Sequence, residues 1–76
     1  MNPNFNRKHY DFLKRLGTNF VVRYTYPGAR TFSQVEAHKL VVTMFPAIVG
    51  KDDDITLEDL TNDSNLRAMV NDIFSA

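Results

Sequence analysis

The run Phe20-Val21-Val22-Arg23-Tyr24-Thr25-Tyr26 constrains this chain's fold more than any other stretch, because β-branched and aromatic residues fill every position except Arg23. Such residues suit a pleated, half-buried surface, and the composition predicts a strand over 20–26. Alternation would turn Phe20, Val22, Tyr24 and Tyr26 to one face and Val21, Arg23 and Thr25 to the other. The first set is the better core face, with the tyrosine hydroxyls at its rim. A strand cannot stand alone, since its amides and carbonyls need a neighbour. Ala47-Ile48-Val49 and Ile55-Thr56-Leu57 are the internal candidates, and a strand from another chain is the alternative.

The flanking segments read as helices. Phe5, His9, Phe12, Leu13 and Leu16 recur at helical spacing. Asn4 or Asn6 can cap the start of this helix, and Gly17 is the expected left-handed terminator. Beyond the strand, Tyr26-Pro27-Gly28-Ala29 suits a type II turn, a strand-to-helix junction rather than a hairpin tip. Ser33-Gln34-Val35-Glu36 has the form of a capping box. Ala37, Leu40, Val41, Met44, Phe45 and Ile48 follow at helical spacing, with Pro46 expected to end the helix near 43–45. Val35 and Val42 lie off this stripe, on a second side with His38, so the middle helix is apolar around more than half its circumference.

After Pro46 the pattern weakens. Residues 47–49 read as a short strand and 50–54 as a loop. Residues 55–57 read either as a strand or as the start of a short helix capped by Thr56. Leu66, Met69, Val70, Ile73 and Phe74 form a final helical stripe, with Asp63 or Ser64 as its cap. The expected architecture is a single α+β domain over 1–76, of order α-β-α-(short β or short α)-α, with helices packed on a minimal sheet.

Seventy-six residues without a cysteine leave no disulfide or thiolate metal site to supplement a small core. The cysteine-free composition and an N-terminus without a signal-like apolar run suggest a cytoplasmic setting. No apolar segment approaches the roughly 20 residues that span a bilayer, so no membrane partner is expected. The net charge of zero conceals a polarity along the chain. Residues 1–39 carry seven basic and two acidic side chains, whereas residues 40–76 carry two basic and seven acidic ones. The plainest reading is that the two halves attract each other within one fold.

Catalytic constellations are sparse, and the chain reads as a non-enzyme. Ser33 and His38, five residues apart on one helix, point in different directions, and Ser33 is explained as a cap. His9 lies on an apolar stripe, where a hydrogen-bonded core histidine is the simpler role. The three glycines stand apart at 17, 28 and 50 and form no phosphate loop. Counting a calcium loop from Asp52 places Leu57 where glycine is required, so Asp52-Asp53-Asp54 reads as a solvated acidic loop. No cofactor and no metal are expected.

Binding remains. Arg7, Lys8, Lys14 and Arg15 form a basic helix face, and Arg23 and Arg30 flank the strand and turn. These six are the expected contacts to an acidic patch on a larger protein, with Tyr24, Tyr26 and Phe32 as aromatic anchors. The expected function is a non-catalytic protein-interaction module acting through this basic surface and a strand edge. By analogy of size class alone, it would be a phage-type regulator or inhibitor of a host assembly such as a polymerase or nuclease complex. A small nucleic-acid-binding protein using the basic first helix and strand is the alternative, and a homodimer paired through the strand is a third.

Overall fold

In the computed structural model, residues 4–23 and 31–74 are described, with the backbone alone for 19–23. Among them are four α-helices and no strand: α1 (Arg7–Arg23), α2 (Gln34–Ile48), α3 (Leu57–Thr61) and α4 (Leu66–Phe74). The fold is therefore all helical, and the expected α+β architecture with a minimal sheet is corrected.

The correction turns on α1. Asn6 caps it, its side-chain oxygen accepting the His9 amide at 3.1 Å. Phe12, Leu13 and Leu16 are buried, as their spacing requires. The helix then runs through Gly17 to Arg23, so Phe20–Arg23, expected as strand, are its last turn. Once α1 is nucleated, each added residue fixes one backbone and gains one hydrogen bond, whereas a lone strand leaves its backbone unpaired. A β preference worth at most about 1 kcal/mol across the scale does not outweigh that difference. The remainder of the expected strand, Tyr24 to Tyr26, and the turn at Pro27-Gly28 lie outside the described residues.

Gly17 serves packing rather than termination. A Cβ built on it would stand 2.7 Å from Ile73 Cγ2, on α4. Only a hydrogen at this position lets the two helices come so close.

α2 begins at the anticipated capping box. Ser33 Oγ accepts from the Glu36 amide at 3.2 Å, and the Glu36 carboxylate accepts from the Ser33 amide at 3.0 Å. Its end is later than expected, because Pro46 sits inside the last turn and the helix continues to Ile48. A proline there removes one intrahelical donor and leaves the rest of the turn intact. The Val49 amide still reaches the Phe45 carbonyl at 2.9 Å. Residues 47–49 are thus helix and cap, not strand.

The second ambiguous segment also resolves as helix. Thr56 and Asp59 form a reciprocal capping box, each bond 3.0 Å, and start α3. Ile55 is buried just before it and anchors the entry. Between α3 and α4, the Asp63 side chain accepts the Asn65 amide at 2.7 Å, and the Asp63 carbonyl accepts the Leu66 amide at 3.1 Å.

α4 buries Leu66, Met69 and Val70 and packs against both α1 and α2. α2 also meets α3 and α1. One apolar cluster results, with Leu13, Leu16, Val41, Leu60, Leu66 and Met69 all essentially inaccessible. Asn71 ties the approach to α2 onto α4: its Oδ1 accepts the Phe32 amide at 2.6 Å, and its Nδ2 donates to the Phe32 carbonyl at 3.0 Å. Phe32 completes this junction by packing on Phe74, with ring centroids 5.3 Å apart.

Two outcomes follow. Gly17→Ala gains about 1 kcal/mol of helix propensity but forces a methyl into the stiff, branched Ile73, a clash of typically 1–3 kcal/mol. Urea unfolding should show a less stable protein, and in an Ile73→Ala background the same change should become stabilising. Asn71→Ala removes its two hydrogen bonds to the Phe32 backbone and should cost about 1–3 kcal/mol in the same assay.

Candidate interaction surface

The basic face of α1 is largely engaged within the chain. Arg15 makes a bidentate pair with Asp53, at 2.7 and 3.1 Å, and a further bond of 3.3 Å to the Ile48 carbonyl at the end of α2. Its guanidinium also lies over Phe12, 5.3 Å from the ring centroid. Asp53 in turn accepts the Gly50 amide at 2.7 Å. The Arg15 hydrogen bond, with the Gly50 amide second, holds the Asp53 carboxyl below the ordinary carboxylate range. The same pairing raises the Arg15 guanidinium above its usual value.

Lys8 pairs with Asp54 at 3.2 Å and Arg7 with Asp11 at 3.7 Å, both on exposed side chains. Lys14 stands 5.8 Å over the Tyr10 ring. Surface pairs of this kind contribute little stability, but they neutralise the face that a phosphate or an outside carboxylate would need.

Deeper contacts follow the same logic. His9 Nδ1 lies 2.6 Å from Asp63 Oδ2, with the two side chains only 16% and 9% exposed. Tyr10 donates its hydroxyl to Asp72 at 2.5 Å. That hydrogen bond, followed by burial, raises the Tyr10 phenol above its ordinary value. The Thr56 amide, with the Thr56 hydroxyl second, lowers the Asp59 carboxyl. Among the described residues, no serine, threonine or tyrosine hydroxyl is hydrogen-bonded to His9 or His38, so no nucleophile–base pair is assembled. Nor do three or more His, Asp or Glu side chains converge there as a metal site would need.

Two shallow cavities border Arg15. One of about 320 Å³ is lined by Arg15, Thr18, Ala47 and Ile48. The other, of about 220 Å³, lies where Lys8, Phe12 and Arg15 face Asp53, Asp54 and Ile55.

The sequence-predicted contact residues therefore separate into groups. Arg7, Lys8, Lys14 and Arg15 share α1 and have partners within the chain. Phe32, expected as an outward anchor, is 3% exposed and belongs to the core. Arg23 ends α1, its side chain not described, and Tyr24, Tyr26 and Arg30 lie outside the described residues. A strand edge has no counterpart among the described residues. Sequence reasoning did not single out Asn71, Asp63 or Asp72 as tethers; the charge polarity between the halves was the available signal.

What the described structure leaves unoccupied is the outer side of α2. At 100° per residue, Val35, Lys39, Val42 and Pro46 form one ridge, diametrically opposite the buried Ala37, Val41 and Met44. Val35 is 75% exposed and Val42 is 40% exposed, and they are the exposed large hydrophobic residues of the described surface. The ridge spans about three helical turns, with its two valines about two turns apart.

The chain matches no family model, no curated protein and no solved structure. Among the described residues, no helix is long and apolar enough to cross a membrane.

The Arg15–Asp53 contact has a pH signature. Because the folded state holds Asp53 below its unfolded value of about 3.9, its contribution is complete above that pH and lost as pH falls through the folded value. Asp53→Asn should therefore unfold at lower urea than wild type at pH 7. The gap should close as the buffer is taken well below pH 4, and a gap that persisted in acid would contradict the assignment.

Proposed function

We propose that this chain is a non-catalytic protein-interaction module that docks through the outward ridge of α2. The observation that carries the reading is the pair Val35 and Val42, exposed on the side of α2 opposite its buried face. A helix buried on one side and apolar on the other suits a helix-in-groove contact, with anchors two turns apart. The proposal moves the contact from the basic face of α1, whose cations have internal partners, to α2. A regulatory or inhibitory consequence would follow from the partner's role rather than from this fold. The nucleic-acid alternative draws on the same α1 cations and is weakened by their pairing with Asp11, Asp53 and Asp54.

Affinity capture from the source cell, comparing wild type with Val35→Asp/Val42→Asp, tests this reading. Both positions are solvent-exposed, so circular dichroism should show unchanged helix content and stability within about 0.5 kcal/mol. A protein captured by wild type should drop at least tenfold with the variant. Equal capture by both, or steeply salt-dependent retention of wild type on random DNA or RNA, would refute it.

A further inference from the structure

We infer that the partner surface received by the α2 ridge is an apolar cleft with a carboxylate at its rim, an inference that rests on the interaction reading above. The ridge is not simply apolar. Lys39 stands between Val35 and Val42, one turn from the first and less than one from the second, and His38 flanks it; both are exposed. Each of the described α1 cations has an internal partner: Asp11 for Arg7, Asp54 for Lys8, the Tyr10 ring for Lys14 and Asp53 for Arg15. The side chains of Lys39 and His38, by contrast, make no ion pair or hydrogen bond with any described residue.

The nearest acid on the helix does not compensate them. Glu36 lies three residues before Lys39, yet its carboxylate is turned back onto the Ser33 amide by the capping box. The ridge thus presents two apolar anchors around a cation, with the local carboxylate drawn away. A second copy of the chain is a poor occupant. A twofold antiparallel pairing of α2 ridges would bring the central Lys39 of each copy toward the other, a like-charge contact that costs affinity. An apolar cleft fits the valines, and a carboxylate at its rim fits Lys39. Charge complementarity of this kind sets partner choice and approach more than it sets raw affinity.

The test replaces His38 with the photo-crosslinking residue p-benzoyl-phenylalanine and maps the attached peptide by mass spectrometry. In parallel, capture is compared for wild type, Lys39→Glu, Lys51→Glu and Val35→Asp/Val42→Asp. Lys51 is an exposed cation in the turn beyond the end of α2 and controls for net charge. The inference expects a crosslinked partner segment containing Asp or Glu, a tenfold or greater loss of capture with Lys39→Glu, and little change with Lys51→Glu. Equal effects of the two lysine changes, a crosslinked segment lacking acids, or a crosslink to a second copy alone would overturn it. Loss with the valine variant but not with Lys39→Glu would leave the docking ridge standing and remove the acidic rim. No loss with either would remove both.

Discussion

The close approach of α1 and α4 at Gly17 is the constraint on which the rest of this structure depends. A small chain without disulfides has to gain its stability from packing, and packing improves as helix axes come together. The missing side chain at Gly17 lets Ile73 lie directly on the α1 backbone. With that distance set, Leu13 and Leu16 on one helix and Met69 and Val70 on the other all become inaccessible. α2 then closes the remaining side with Ala37, Val41 and Met44, and α3 contributes Leu60. A glycine in a helix interior is a weak helix former. Here that weakness is offset by the interface it permits.

Charge completes what packing begins. Basic residues of the first helix meet acidic residues that follow the second: Lys8 meets Asp54 and Arg15 meets Asp53. The net charge of zero is therefore the sum of two opposed halves folded against each other. Arg15 is the centre of this arrangement, since it touches the end of α2, the acidic loop and the Phe12 ring together. Such pairs add modest stability and favour this register of α1 against the loop by a similarly modest amount.

What the sequence disclosed follows the reach of the signals in it. Apolar spacing located α1, α2 and α4, and the Ser33 capping box located the first turn of α2 to the residue, because both signals are local. The Thr56 box was visible too, but Ile55-Thr56-Leu57 satisfied strand and helix equally. The expected strand failed over its described part, 20–23, because propensity is a preference of a segment, whereas helix continuation depends on the turn before it. Gly17 and Pro46 misled for one shared reason. Each is punctuation by its backbone chemistry, yet here the Gly17 hydrogen matters for a neighbour 56 positions away and Pro46 sits within the last turn of a helix that continues to Ile48. Of the expected contact surface, Arg7, Lys8, Lys14 and Arg15 do share one helix, but Asp54 and Asp53, the partners of Lys8 and Arg15, lay too far along the chain to be paired by spacing. Phe32 looked like an anchor because nothing local reveals that Asn71 holds its backbone inward.

The tethers on α1 also set the order in which this molecule can be made. His9 reaches Asp63 across 54 residues, and Tyr10 reaches Asp72 across 62. A chain leaving the ribosome therefore produces its first helix long before the helix that covers it. Until α4 has emerged, Leu13, Leu16 and Val41 lack the cover that it provides. Although every element is helical and forms from local contacts, completion of the core is a long-range event. Loss of the last turn of α4 would thus reach back to α1, depriving it of part of its cover.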